Sequence, residues 1–272
     1  MAALSRLLKL PRNLSRIPEV FRCIEQSATW KTMVPAYIGL RTPAYPFWFR
    51  LRSGESLRIE DSGDLVTAWI IFFRGEYRVE PSDRTIVDAG ANVGAFSLLA
   101  ARRAPNAKVV AIEPFPETRT RLEHHIASNG LSSRISVRPW ALGAADESRF
   151  MDVSPGRSQS RGVFEKGQEA DGLEVGAISL ATLFEREKLD HVDLMKMDIE
   201  GGEHETLHAA PDEVLARIDR LALEYHPNGS RDALFARLQR AGFVLQFDLV
   251  AAPNSGVAEF TRGRSYGGRG AP

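Results

Sequence analysis

Thr85-Ile86-Val87-Asp88-Ala89-Gly90-Ala91-Asn92-Val93-Gly94-Ala95-Phe96 is the stretch from which the fold can be read. A short β-branched run ends in an acid and passes into a loop of small residues with two glycines. Apolar residues at helical spacing follow, through Phe96, Leu98, Leu99 and Ala100. Strand, turn and helix in that order open a nucleotide-binding α/β unit. The glycines are expected to let the backbone pass close to a ligand, while the helix N-terminus offers unpaired N–H groups to an anionic part of it.

The spacing narrows the ligand. A dinucleotide fingerprint reads G-x-G-x-x-G, whereas this loop reads D-x-G-x-x-x-G. Asp88, two residues before Gly90, is poorly placed for a pyrophosphate and well placed for an amine. S-adenosyl-L-methionine carries such an amine beside a carboxylate, and it is the cofactor this loop predicts. Glu113 follows Asp88 by 25 residues at the end of the next strand. Its two oxygens suit the two hydroxyls of a ribose; alone it is equally a solvated strand-end carboxylate.

The regular alternation runs outward from this point. Strands are expected at Thr85 to Asp88, Lys108 to Glu113, Ile135 to Pro139, Asp193 to Asp198 and Arg220 to Tyr225. Helices are expected from Gly94 to Arg103, Pro116 to Ser128, Glu203 to Ala209 and Asp232 to Ala241. Phe243 to Leu249 and Val257 to Thr261 read as a closing antiparallel pair. Strands alternating with helices imply an α/β fold with a doubly wound, mostly parallel sheet. Residues 1–80 read as an N-terminal cap, residues 81–262 as the main domain and residues 263–272 as a flexible Gly/Arg tail. Within the cap, a helix is expected from Pro18 to Ser27. Phe47 to Arg52, Leu57 to Glu60 and Thr67 to Phe73 read as short strands or partly buried segments. Trp48, Trp69, Phe72, Phe73 and Tyr77 read as core. The polar stretch from Ser154 to Gly162 reads as a long loop, a lid or simply disordered.

Composition excludes little and excludes it cleanly. The 272 residues carry 35 Lys plus Arg against 35 Asp plus Glu, a balance that gives no hint of nucleic acid or of a membrane surface. One cysteine, Cys23, cannot build a disulfide framework and fits a reducing, cytoplasmic setting. No apolar run is long enough to span a bilayer. The basic, leucine-rich residues 1–22 permit a transit-peptide reading, with a docking helix as the simpler alternative.

A second stretch, Asp193-Leu194-Met195-Lys196-Met197-Asp198-Ile199-Glu200-Gly201-Gly202-Glu203, places acids at the carboxyl end of a sheet strand, where open α/β sheets bind ligands. Lys196 in mid-strand demands an acidic partner, and Glu224 on the adjacent fifth strand is the expected one. Glu200 and Glu203 also suit the start of the next helix electrostatically. His204-Glu205-Thr206-Leu207-His208 spells the zinc-protease pattern H-E-x-x-H, but no third ligand is identifiable and no metal is expected. His226, after the fifth strand, reads equally as a structural hydrogen-bonder or a base. Arg157 and Arg161 could receive an anionic substrate, though a solvated loop explains them as well.

Taken together, the 87–94 loop and the Lys196, Asp198, Glu200, Gly201, Glu203 series resemble the FkbM family of S-adenosyl-L-methionine-dependent methyltransferases, whose fourth strand reads K-x-D-x-E-G-x-E. Leu223-Glu224-Tyr225-His226 is similar to that family's fifth-strand ending, and Ala141-Leu142-Gly143 to its third-strand exit. The resemblance covers about residues 85–250. It implies a seven-stranded Rossmann-like sheet of the class I methyltransferase kind. It also implies cofactor contacts at Asp88, Gly90, Asn92, Gly94, Glu113, Pro114 and Ala141, and O-methylation of a hydroxyl on a sugar, glycan or natural product. Asp198 or Glu200 is the expected base, with His226 second. A non-catalytic S-adenosyl-L-methionine-binding module and an NAD-dependent oxidoreductase stand as alternatives, the latter disfavoured by the glycine spacing. An RNA methyltransferase lacks a concentrated basic surface.

Overall fold

A computed structural model describes residues 16–151, 163–164 and 172–262, and for residues 163 and 164 the backbone. The Ser154 to Gly162 loop, with Arg157 and Arg161, lies outside the described residues, as do the first fifteen residues and the 263–272 tail. The chain divides into two compact units, Met1–Glu76 and Tyr77–Pro272.

In the first unit, helices α1 (Ile17–Gln26) and α2 (Trp30–Tyr37) precede a hairpin of β1 (Phe47–Arg50) and β2 (Ser56–Ile59). Helix α3 (Ser62–Trp69) then runs straight into a single π-helical turn, Ile70–Arg74. Thr67 to Phe73 is therefore helical, although its β-branched and aromatic residues suit a strand. Two things override that propensity. Asp61 caps the helix, its carboxylate accepting the N–H groups of Gly63 and Asp64 at 2.8 and 2.9 Å. Ile71, Phe72 and Phe73 are buried in succession, so no exposed face has to alternate. Trp69 stacks on Tyr37 with ring centroids 3.9 Å apart and donates its indole N–H to Glu19. Helix α2 holds Pro35 in its interior, and burial of Met33 and Val34 anchors it. Trp48 is partly buried, while Trp69, Phe72 and Phe73 are core.

The second unit is built on a seven-stranded sheet. In chain order its strands are β3 (Thr85–Ala89), β4 (Lys108–Ile112), β5 (Ile135–Arg138), β10 (Val192–Met197), β11 (Ile218–Tyr225), β12 (Phe243–Ala252) and β13 (Ser255–Arg262). Their spatial order is β12-β13-β11-β10-β3-β4-β5. β5, β4, β3, β10 and β11 run parallel; β13 is antiparallel to β11 and to β12. This is the doubly wound, mostly parallel seven-stranded sheet that the sequence implies. Crossover helices α4 (Ala95–Arg103) and α5 (Pro116–Ser128) follow β3 and β4. Helices α7 (Glu203–Ala209), α8 (Asp212–Leu215) and α9 (Arg231–Arg240) follow β10 and β11. The central strands are buried on both faces, as parallel strands covered by helices must be.

A smaller four-stranded sheet is inserted between β5 and β10: β6 (Ala141–Leu142), β7 (Glu147–Met151), β8 (Val163–Phe164) and β9 (Leu173–Ile178), in the order β6-β9-β7-β8. Helix α6 (Leu180–Arg186) leads from it back to β10. The sequence does not announce this sheet, because its strands are short and their polar faces exposed. Successive βα units wind outward from β3 toward β5 and, on the other side, from β10 toward β11. The β3–β10 junction is therefore the switch point of the sheet, where the strand exits diverge and leave a crevice. The 90–94 loop and the Asp198–Glu203 turn both leave the sheet there.

Candidate active site

The glycine loop is shaped by the chain itself. Gly90 and Ala91 donate their N–H groups to the Ile112 carbonyl at 3.1 and 2.9 Å, folding the loop against the β4 exit. Gly90 has φ +75°, and a methyl group added there would sit 1.7 Å from the Asp198 carbonyl oxygen. Gly94 has φ +94°, and the same addition would meet Leu122 Cδ1 at 2.6 Å. At Gly90 the close approach of the backbone at the β10 exit and the positive φ both require glycine, and at Gly94 the positive φ favours it. Asn92 also lies in the left-handed region at φ +49°, which Asn tolerates better than most residues. Helix α4 begins at the end of this loop, so its first-turn N–H groups face the crevice.

Asp88 is held by the chain itself. Its side chain is fully buried, Ser97 Oγ donates to Oδ2 at 2.7 Å, and Lys196 Nζ lies 3.5 Å from Oδ1. Asp88 ties β3 to the helix after it and to β10. Glu113 lies where the sequence expects it. Its carboxylate accepts the Asn92 and Phe115 N–H groups, each at 2.9 Å, one on each oxygen. A carboxylate has about four acceptor positions, so two remain for hydroxyl donors. Burial pushes this carboxyl up to about 7, against those two backbone hydrogen bonds. Pro114 follows, half-buried, its carbonyl accepting from Arg119. Ala141 packs into a small core with Phe115, Met151, Val175 and Ala177, which gives it a packing role.

Lys196 occupies the centre. It is 3% exposed, donates to the Gly90 carbonyl at 2.8 Å and lies 3.5 Å from both Asp88 Oδ1 and Asp198 Oδ2. Burial disfavours its charge, but Asp198, Asp88 and Glu224 together hold its pKa above the ordinary lysine value. Glu224, the partner expected from sequence, therefore adds to the field, while the acids at ion-pair distance are Asp88 and Asp198. Register explains the correction: Lys196 pairs across the ladders with Asp88 and with Ala222, two residues before Glu224. The Oδ1 atoms of Asp88 and Asp198 are both buried without a hydrogen-bond partner.

Beyond Asp198 the chain turns sharply, with Glu200 at φ +55° and Gly201 at φ +109°. Glu203, fully buried, holds that turn. Its Oε1 accepts the Ile199 N–H at 2.9 Å and its Oε2 the Gly201 N–H at 3.0 Å. His226 Nδ1 donates to Glu203 Oε1 at 3.1 Å, and His226 Nε2 lies 3.4 Å from Glu200 Oε2. Burial and the neighbouring Asp198 raise the Glu200 carboxyl to about 7, with His226 pulling the other way. For His226, burial opposes the charge, but the Glu203 hydrogen bond and the charges of Glu203, Glu200 and Asp198 push it up to about 9. An imidazolium has no lone pair to accept a proton. His226 at neutral pH is thus unsuited to the role of base.

The H-E-x-x-H pattern also resolves into hydrogen bonding. His204 Nε2 donates to the His226 carbonyl at 3.2 Å, and His208 Nδ1 to the His204 carbonyl one helical turn back, at 2.7 Å. Donor atoms of Asp198, Glu203 and His226 lie within 4.8 Å of one another, yet Glu203 already receives three N–H groups. The sequence did not single out Ser97 or the Glu203–His226 pair, since both contacts join residues brought together by the fold. No helix among the described residues is long and apolar enough to cross a membrane.

The residues present fit S-adenosyl-L-methionine. The α4 N-terminus suits its carboxylate, the spare acceptor positions of Glu113 its ribose, and the acidic crevice its net positive charge.

Comparison with known proteins agrees. Methyltransferase sdnD of Sordaria araneosa is 29% identical over 198 residues, covering 62% of this chain and 76% of that protein. Methyltransferase 1 of Beauveria bassiana is 29% identical over 163 residues, covering 53% of this chain and 65% of its own length. AMB antimetabolite synthetase AmbE of Pseudomonas aeruginosa is 30% identical over 207 residues, 61% of this chain but 10% of that much longer protein. A crystal structure of methyltransferase FkbM from Methylobacillus flagellatus superposes with a TM-score of 0.48 at 17% identity, covering 92% of this chain and 60% of that one. Residues 88–247 match the methyltransferase FkbM domain. With more than half its length inside that match, the chain belongs to the FkbM family of methyltransferases, whose methyl donor is S-adenosyl-L-methionine.

Proposed function

We propose that this methyltransferase acts on a hydroxyl of a small-molecule acceptor, such as a sugar, glycan or natural product, with Glu200 as the general base. The observation that carries the reading is the placement of Glu200. It stands on a left-handed turn at the carboxyl end of β10, partly open to solvent, with its carboxyl raised to about 7. A base poised near the working pH suits removal of a hydroxyl proton. Asp198 is the weaker candidate, because its Oδ2 is committed to Lys196. His226 is assigned a supporting role because Glu203 and Glu200 on either side of the ring hold its pKa up, to about 9. The match to a stretch of an antimetabolite synthetase is in keeping with a natural-product acceptor.

S-adenosyl-L-methionine supplies an electrophilic methyl group on a sulfonium. The chain's own residues hold and orient. The loop from Gly90 to Gly94, with Asn92 and the start of α4, receives the amino-acid end; Glu113 and Pro114 line the ribose side. Glu200 would orient the acceptor hydroxyl and accept its proton. Bringing the two reactants to near-attack distance contributes most of the acceleration such a site can give.

The test is transfer of a labelled methyl group to a panel of hydroxyl acceptors between pH 5 and 9. The rate should climb through about pH 7. Glu200→Gln should cut it ~10²–10⁴-fold while binding of the demethylated cofactor, S-adenosylhomocysteine, is unchanged. Full turnover by Glu200→Gln would remove Glu200 from the role.

A further inference from the structure

Glu203 poses a problem that its own helix does not solve. It lies at the start of α7 with its side chain fully shielded from water, and two backbone N–H groups are its nearest main-chain donors. Burying a carboxylate is costly unless donors and a cation surround it. The group that faces it is His226, from the exit of a different strand, β11. The imidazole stands between two carboxylates, with Nδ1 3.1 Å from Glu203 Oε1 and Nε2 3.4 Å from Glu200 Oε2. A neutral imidazole could donate to one of them and would turn a lone pair toward the other. A ring that satisfies both is doubly protonated.

We propose that Glu203 and His226 form a positioning pair, in which buried Glu203 holds the His226 imidazolium and the imidazolium in turn orients the Glu200 carboxylate toward the acceptor. The proposal rests on Glu200 being the base, and it assigns to Glu203 and His226 a role that the helix-start charge of Glu203 does not cover. Neighbouring contacts build the pair into the fold. Glu203 accepts the Ile199 and Gly201 N–H groups and so sets the left-handed backbone that carries Glu200. Asn228 Nδ2 donates to the Gly201 carbonyl, joining the β11 exit to the same turn. His204 Nε2 donates to the His226 carbonyl, and Gly229 lies so close over the His204 ring that an added methyl would come within 2.4 Å of it. The exit of β11 therefore cannot slide without moving His226.

The charged groups around the ring come from three elements. Glu203 faces it from α7, Glu200 from the turn, and Asp198 from the end of β10. Glu200 in turn feels Asp198, His226, Glu224 on β11, and Glu203. All but His226 are acids, so the imidazolium is the cation that keeps Glu200 from being protonated well above neutrality.

The test is a side-chain ¹⁵N NMR titration of the full chain from pH 5 to 10, with His226→Gln used to assign the resonance. His226 should titrate near 9, and its Nε2 signal should show a second inflection near 7 as Glu200 ionises. Glu203→Gln should lower the His226 midpoint by about one unit or more; Glu200→Gln should abolish the inflection near 7. A wild-type midpoint at or below 6.5, or no response to either variant, would overturn the pair. If Glu203→Gln does not fold, the wild-type curve and Glu200→Gln decide alone. Calorimetry with S-adenosylhomocysteine on the same sample separates the two claims. Absent binding with a His226 midpoint near 9 counts against methyl transfer and leaves the pair standing; binding with a midpoint near 6.5 does the reverse.

Discussion

Lys196 and Asp88 sit opposite each other across the β3–β10 ladder, both buried, with the ammonium 3.5 Å from the carboxylate. The same ammonium donates to the Gly90 carbonyl and reaches Asp198, so one side chain ties the glycine loop to the strand that leads to Glu200. Removing one partner of a buried ion pair typically costs ~3–5 kcal/mol, because the other charge is left uncompensated. Lys196→Met is expected to fall in that range in urea unfolding. Asp88→Asn should lose less, since the hydrogen bond from Ser97 can persist. Equal stability of Lys196→Met and wild type would show that the pair is not a stabilising element.

Gly90→Ala is a sharper steric test. The added methyl would lie 1.7 Å from the Asp198 carbonyl, on a backbone at φ +75°. The β3 and β10 exits must separate to admit it, which would displace both the loop and the Glu200 turn. The expected outcome is a large fall in thermal midpoint together with loss of S-adenosylhomocysteine binding. Gly54→Ala is the control, since it shares a positive φ of +111° but has no atom within 4 Å of the added methyl. It should carry backbone strain without steric displacement, and so lose much less.

Glu113 and His226 give stability opposite slopes to those of an ordinary surface carboxylate. The Glu113 carboxyl rises to about 7 on folding from a model value of 4.5. The folded chain therefore holds an extra proton between those values, and this contribution is fully present below about 4.5 and lost as pH rises through about 7. His226 rises to about 9 from 6.5, so its contribution is present below 6.5 and lost as pH rises through about 9. Urea unfolding at steps from pH 4 to 10 should show both declines. Glu200 shares the first window with Glu113, so Glu113→Gln should reduce that decline and the double variant Glu113→Gln/Glu200→Gln should flatten it, while His226→Gln should flatten the second.

The histidines of the H-E-x-x-H pattern each give one ring nitrogen to a backbone carbonyl, and the account assigns zinc no role. Metal analysis after dialysis should show no stoichiometric zinc, and His208→Ala should leave S-adenosylhomocysteine affinity unchanged. Tight stoichiometric zinc lost on His204→Ala would contradict this.

Periodicity made the βα frame legible in the sequence. Thr85 to Ala89 and Val192 to Met197 are buried runs bounded by turns, and each helix after them carries an apolar stripe. Asp88, Glu113, Asp198 and Glu200 were legible because they stand at strand ends, where topology alone predicts a site. What chain order conceals is pairing. The register that sets Lys196 against Asp88 depends on β10 lying beside β3, which follows from the crossover and not from local residues. The contact of Glu203 with His226 bridges two strand exits for the same reason. The 67–73 segment is helical where its residue types suit a strand, because total burial removes the alternation that separates the two and Asp61 caps the helix start. The small β6–β9 sheet escaped because strands such as Glu147–Met151 expose much of their length.

The central claim is that the crevice at the β3–β10 switch point binds S-adenosyl-L-methionine. Isothermal titration of the full chain with S-adenosylhomocysteine, and separately with NAD, tests it most directly. The account predicts a single saturable site for S-adenosylhomocysteine, weakened by Glu113→Ala, and no heat with NAD. Saturable NAD binding with none for S-adenosylhomocysteine would contradict it.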